Sequence, residues 1–379
     1  MNISKTGNFI YSKLKENPYL IFVLFAALFI RIYSAAINGI GYTIDSQNYI
    51  KQAGMLLEGR YSLYFPNGYP LIVALFISFK KIFDPGFSLV TLNIILSTVT
   101  VYLIYEICRE SFNKKYIAFI AVTIAAIYPN QIKYVHWFLS EVPAAFFITL
   151  SLYFFVKKKY VFSGLAMGFA SMIRTTLLPA GILFTIYLIF KKSSSAYKYF
   201  AFYSLVILIF LTYGYARTGF FTIGQNAAHN LSITTEYSDT ASFPKVHLKT
   251  LNGSLNDYIS FAITKPFDFT LERLENLWDL WGPMPPWGES WKGRSKFFWL
   301  IGIRSILLLL AIIGFVKSNK NPAVIFSMLA IASITVIHMI YFADPRFTHT
   351  IEPCAIILAS IGIGSLFEIS RKFLKPKKF

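Results

Sequence analysis

The chain has 379 residues, of which 55% are hydrophobic, 18% aromatic and only 14% charged, with a mean hydropathy of +0.54. Soluble domains carry roughly a quarter charged residues, so an ordinary soluble protein is excluded. The formal net charge of +18 does not signal nucleic acid, because the basic residues punctuate apolar segments instead of forming a face.

We therefore expect an all-α, polytopic membrane protein, built as a single integral membrane domain over residues 1–379. A basic tail with Lys5, Lys13 and Lys15 precedes the first greasy run. That order is also found in signal peptides. The run is long for a signal core, however, and cleavage would untether the loop that follows, so it reads as an uncleaved anchor. Span-like runs fall at 19–37, 88–108, 116–128, 142–156, 160–173, 176–190, 199–215, 298–316, 322–342 and 353–369. A further run, 69–83, is short against the roughly 20 residues of a span and reads as interfacial. Leaving it out puts the basic clusters "RESFNKK", "KKK", "KKSSSAYK", "KSNK" and "RKFLKPKK" on the same side as the N-terminal tail, as the positive-inside rule requires. The expectation is ten spans, both termini inside, and two long outer loops, 38–87 and 216–297.

Arg31 lies about 18 Å into the first run at 1.5 Å per residue. It either snorkels to the outer headgroups or faces an internal cavity and attracts an anion. The first outer loop places an acid, Asp45, shortly after the first run in "GYTIDSQNYIKQAGMLLEGRYSLYFPNGYP". If 44–57 is helical, Asp45, Tyr49 and Gln52 share one stripe and Ile50, Ala53 and Leu57 another. Such a helix would lie on the outer leaflet and hold Asp45 at the headgroup plane, with Tyr49 placed in the substrate-binding set beside it. The plainer alternative makes Asp45 a helix N-cap.

Glu141, in "HWFLSEVPAAFF", stands at the outer end of the fourth run beside His136, Trp137 and Ser140. A carboxylate there either lines a polar cavity or complements a helix N-terminus. Arg174, followed by Thr175 and Thr176, occupies a short outer turn, as a lipid-phosphate ligand or a headgroup anchor. The second outer loop contains "PFDFTLERLENLWDLWGPMPPWGESW". Pro266 suits a helix start, and Phe267, Leu271, Leu274, Trp278 and Trp281 recur at helical spacing. The reading is an amphipathic interfacial helix, with Trp281, Trp287 or Trp291 as alternative sugar-stacking residues. The last outer loop, "YFADPRFTHTIEP", gathers Asp344, Arg346, His349 and Glu352. These form either a functional set or a cheap Asp344–Arg346 surface pair.

Cys108 and Cys354 sit in apolar runs and suggest neither a disulfide framework nor a metal site. No zinc spacing, Walker loop or dinucleotide fingerprint is present.

The order and one-sided placement of these motifs, together with "NGYPLIVALF", "YPNQIKYVHWFLSEVPAAFFITLSLY", "FSGLAMGFASMIRTTLLP" and "DPRFTHTIEP", resemble the GT-C class of membrane glycosyltransferases. The chain is similar in particular to the protein O-mannosyltransferases and the lipid A aminoarabinose transferases. The resemblance implies transfer of a sugar from a polyprenyl-phosphate donor to a glycan, lipid or protein acceptor on the outer face, among membrane lipids. It maps the catalytic acid to Asp45, the family's Ser-Glu pair to Ser140 and Glu141, and its late arginine to Arg346. On this reading Asp45 is the base, and Arg346, Arg174 and Arg31 hold phosphate. Glu141, His136, His349 and Tyr49 complete the substrate-binding set. Many members carry two adjacent acids where this chain has Asp45 and Ser46, which weakens metal binding there. No cofactor is implied with certainty, and a divalent metal stays open. The chain stops soon after its tenth run, which leaves acceptor recognition to loops or a partner. A lipid-linked glycan flippase and an oligosaccharide ligase are the rival readings.

Overall fold

A computed structural model describes residues 17–82, 84–112, 114–224, 255–282, 294–341 and 343–374. The helices are α1 (Pro18–Asn38), α2 (Ile44–Leu57), α3 (Gly68–Ser78), α4 (Pro85–Ser111), α5 (Lys115–Ile127), α6 (Pro129–Lys133), α7 (Glu141–Val156) and α8 (Tyr160–Ile173). They continue as α9 (Leu178–Phe190), α10 (Ala196–Thr218), α11 (Leu255–Thr264), α12 (Pro266–Trp281), α13 (Arg294–Ser318), α14 (Pro322–Ile340) and α15 (Glu352–Leu374). The 3₁₀ turns Tyr134–His136, Thr175–Leu177 and Pro345–Ile351 connect them at one end. Among the described residues, β-pairing is confined to the isolated bridge between Gly41 and Trp137.

Each span-like run of the sequence forms a helix. Five segments are long and apolar enough to cross a membrane: Pro18–Asn38, Pro85–Ser111, Ala196–Thr218, Pro322–Ile340 and Pro345–Ser370. This makes the chain a multi-pass membrane protein. The helices α5, α7, α8 and α9 hold 13, 16, 14 and 13 residues. They measure about 20–24 Å at 1.5 Å per residue, less than the ~30 Å hydrocarbon core. Length and composition alone thus qualify five of the ten expected spans. The run at 69–83 yields only the 11-residue α3.

Outward faces are apolar, as lipid contact requires. In α1, Phe22, Phe25 and Phe29 are exposed while Leu20, Val23, Ala27 and Arg31 are buried at helical spacing. The long α13 packs along α15. Gly314 and Gly362 permit the contact, since a Cβ on either would collide with the carbonyl of Leu358 or Leu310 on the facing helix.

Arg31 takes neither of its expected roles. It is fully buried, donating through Nε to Ser97 Oγ (2.7 Å), through Nη1 to the carbonyls of Ala27 and Ala126 (3.1 Å each) and through Nη2 to that of Ala125 (3.2 Å). The cause lies in "AAIYP". Pro129 has no N–H to offer Ala125 and forces Tyr128 into an extended conformation (φ −65°, ψ 120°), so the last carbonyls of α5 lose their helical donors. The guanidinium replaces them. Arg31 is a helix clamp, and its donors are directed at protein rather than at a phosphate.

In the second outer loop, α12 starts at Pro266 as expected. Phe267, Leu271, Leu274 and Trp278 remain exposed, an apolar stripe suited to an interface. Trp281 is buried instead, its indole N–H donating to Thr335 Oγ1 at 3.0 Å, so it has no free face for a sugar. Asn276 and Arg273 donate to the carbonyls of Met339, Tyr341 and Ile340, anchoring α12 to the end of α14. Trp287 and Trp291 lie outside the described residues, as does half of loop 216–297.

Candidate active site

Segment 128–140, between α5 and α7, is the spine of the site. From below it is fixed by Asn93, which donates to the carbonyls of Val135 and Trp137 (3.3 and 3.1 Å), and by Ser97, which donates to that of Gln131 (3.1 Å). On one side it pairs with the first outer loop: Gly41 N–H donates to the His136 carbonyl, and Phe138 N–H to the Gly41 carbonyl, each at 2.9 Å. On the other side Asn130 and Gln131 donate to the two oxygens of Glu352 (2.6 and 3.0 Å), and Gln131 also to the His349 carbonyl (3.2 Å). One irregular segment therefore gathers two loops about 300 residues apart in sequence.

The helix expected at 44–57 forms with those bounds. Its N-cap is Thr43, in a reciprocal capping box with Ser46. Asp45 sits in the first turn and is not the cap. Ser46 Oγ also donates to the Phe138 carbonyl at 2.7 Å, which gives this serine a structural task. Gln52 donates to the carbonyls of Ser62 and Phe65 and to Asn67 Oδ1, holding the loop that leads into α3. Tyr49 is buried against Phe65 and Tyr69, with its hydroxyl 3.2 Å from Ser140 Oγ. Burial first, then the charges of Glu141 and Asp45, push its phenol well above the usual tyrosine range. Tyr49 is therefore a wall of the site and a neutral hydrogen-bonding group.

Two ion pairs form the charged centre. Asp45 Oδ2 accepts from Arg346 Nη2 at 2.8 Å, with the side chains 29% and 25% exposed. Arg174 Nη1 lies 2.8 Å from Glu141 Oε1, and these are 11% and 2% exposed. Arg174 also reaches Ser140 Oγ at 3.5 Å, so Tyr49 and Arg174 meet at the Ser140 hydroxyl. Glu141 begins α7, at a helix N-terminus and inside the site at once. Its Oε2 has no partner, and neither has Arg346 Nε.

The short Asp344–Arg346 pair of the sequence reading takes another form. Asp344 Oδ1 accepts the backbone N–H of Arg346 at 2.8 Å, capping the 3₁₀ turn and leaving the guanidinium for Asp45. Burial raises the Asp344 pKa, although Arg346 opposes it. His349 is fully buried 4.8 Å from the Tyr134 ring, and neither ring nitrogen has a hydrogen-bond partner. His136 joins through its backbone carbonyl. Its ring lies 5.3 Å from that of Trp137, and burial, with the Lys133 charge, lowers its pKa. Sequence reasoning missed Asn93, Asn130 and Gln131, although two amides directly after Pro129 at a predicted membrane exit were a readable signal.

The carboxylates do not fit a divalent ion. Among the described residues no three His, Cys, Asp or Glu side chains converge, and Asp45 and Glu141 each face a guanidinium.

A family model described as dolichyl-phosphate-mannose-protein mannosyltransferase matches residues 67–215. The apo crystal structure of the Archaeoglobus fulgidus oligosaccharyltransferase aligns with TM-score 0.57 and 14% identity, over 96% of this chain and 52% of that one. The fold is GT-C-like. The same archaeal protein in complex with an inhibitory peptide and a dolichol-phosphate aligns with TM-score 0.55 and 14% identity, over 97% and 52% of the two chains. Its complex with Zn and sulfate gives 0.57 and 15%, over 93% and 49%. The chain thus spans about half the length of these structures. Among curated proteins, none matches. Within this GT-C-like chain the mannosyltransferase match contains His136, Ser140, Glu141 and Arg174, while Asp45 and Arg346 flank it.

Proposed function

We propose that the chain is a membrane glycosyltransferase that moves a sugar from a polyprenyl-phosphate donor to an acceptor hydroxyl. The observation that carries the reading is the Asp45–Arg346 pair, which joins the first outer loop to the last across the mannosyltransferase-like segment. Asp45 takes the proton of the acceptor hydroxyl, whose oxygen attacks the anomeric carbon. The bond from that carbon to the phosphate oxygen breaks, and polyprenyl phosphate leaves with its charge stabilised by Arg346 and Arg174.

The resting ion pair fits this sequence of events. An arriving phosphate competes with Asp45 for Arg346, whose Nε is still free, and a carboxylate released from its guanidinium becomes a stronger base. Glu141 Oε2 and the His349 ring nitrogens, all buried without partners, are placed to receive sugar hydroxyls. His136 orients the acceptor. The positive-inside distribution of basic residues supports a site on the extracytoplasmic side of a single membrane domain, with loops 38–87 and 216–297 outward and the second of these facing the acceptor.

An oligosaccharide ligase is the second reading, favoured by the structural likeness to oligosaccharyltransferases. Membranes of a deletion strain, incubated with purified protein, separate the two. The proposal expects wild-type protein to consume a lipid-linked monosaccharide and release polyprenyl phosphate, and Arg346→Ala protein to do neither. Consumption of a lipid-linked oligosaccharide would establish the ligase instead. No consumption at all would refute both.

A further inference from the structure

Phe347 has no place in the sequence reading, yet both site arginines rest on it. The Arg346 guanidinium carbon lies 5.1 Å from the Phe347 ring centroid and that of Arg174 lies 5.2 Å from it. The ring is nearly buried and is itself fixed by His338, stacked 4.2 Å away at 15°. Two like charges from segments 172 residues apart therefore share one aromatic platform. Guanidinium groups are drawn to the negative ring face, and a ring held from behind cannot follow them if they drift. Each arginine has one carboxylate partner, Asp45 or Glu141. Glu141 also acts on Arg346 through its charge, and the Phe347 ring is the aromatic surface on which both cations rest.

Resting on the phosphate role of the arginines proposed above, we propose that Phe347 is a positioning residue. It fixes the separation of Arg174 and Arg346 so that one phosphate group meets both at once. The contribution is preorganisation: a clamp already set at its working width loses less entropy on binding. A tyrosine preserves the ring face. A fluorinated ring preserves shape and burial but reverses the quadrupole that holds the cations.

The test measures binding to the purified full-length chain in detergent, with farnesyl phosphate, farnesol and inorganic phosphate as probes. Wild type should bind farnesyl phosphate well above farnesol. Phe347→pentafluorophenylalanine should bind it about tenfold more weakly, the ratio that 1.4 kcal/mol represents, at unchanged thermal stability. Phe347→Tyr should stay within about twofold of wild type. Unchanged affinity in the fluorinated protein overturns the positioning role while leaving the phosphate reading intact. If wild type binds farnesol as well as farnesyl phosphate, the phosphate reading fails and takes this inference with it. Equal binding of inorganic phosphate with the same dependence on Phe347 supports the clamp and assigns it to free phosphate rather than a lipid headgroup.

Discussion

Replacing Arg31 separates a structural arginine from a ligand-binding one. In Arg31→Met the volume is nearly kept, but four donated hydrogen bonds disappear. Ala27 keeps its own helical donor, and Ser97 can still donate to Gln131. The carbonyls of Ala125 and Ala126, stranded by Pro129, have no such substitute. Each buried unsatisfied carbonyl costs about 1–3 kcal/mol, which places the loss at roughly 2–6 kcal/mol, a large share of the ~5–15 kcal/mol typical of a folded domain. Thermal unfolding of the purified protein in detergent should show a markedly lower midpoint. Farnesyl phosphate affinity, measured on the folded fraction below that midpoint, should match wild type. Wild-type stability combined with lost phosphate binding would refute the clamp and return Arg31 to the site.

A Cβ on Gly68 would lie 2.5 Å from the Met172 backbone and 2.6 Å from Ile173 N, immediately before Arg174. Gly68→Ala should therefore lose about 1–3 kcal/mol to overpacking, read by thermal unfolding, and should also weaken farnesyl phosphate binding by displacing Arg174. Lys158 closes α7 at φ 58°, with its N–H on the Phe155 carbonyl and that of Lys159 on the Phe154 carbonyl. This left-handed cap favours glycine, so Lys158→Gly should raise stability by about 1 kcal/mol without altering phosphate binding. For Asp344, whose pKa is raised by burial, the linked stability is fully present below the ordinary carboxylate value of about 3.9. It is lost as pH rises through the raised value. Asp344→Asn keeps an acceptor for the Arg346 N–H, so its unfolding midpoint should be flatter over that window and exceed wild type above it.

The helices were legible because a membrane protein writes them as apolar runs, and α2 was legible down to its ends because "IDSQNYIKQAGMLL" alternates polar and apolar stripes at helical spacing. The cap reading of Asp45 fell to Thr43, which holds the N-cap position itself. The box in "TIDS" closes through a serine at its fourth position rather than the usual Glu or Gln, and this hid the real cap. Arg31 was misjudged because its partners are backbone carbonyls, uncovered by a proline 98 residues further along. The pairing of Asp45 with Arg346, the seat of two guanidiniums on Phe347 and the burial of Trp281 are long-range packing outcomes. No local periodicity encodes them, and Phe347 in "DPRFTHT" looks like any other phenylalanine of a phenylalanine-rich chain.

The role of Asp45 as the base is tested most directly by mass spectrometry of cell-envelope glycans and lipids. Three strains are needed: wild type, a deletion, and Asp45→Asn at matched membrane abundance. The account predicts that one sugar-sized mass increment, present on an acceptor in wild type, is missing from both the deletion and the Asp45→Asn strain. If the Asp45→Asn strain keeps the increment that the deletion loses, Asp45 is only the ion-pair partner of Arg346, and the mechanism is wrong.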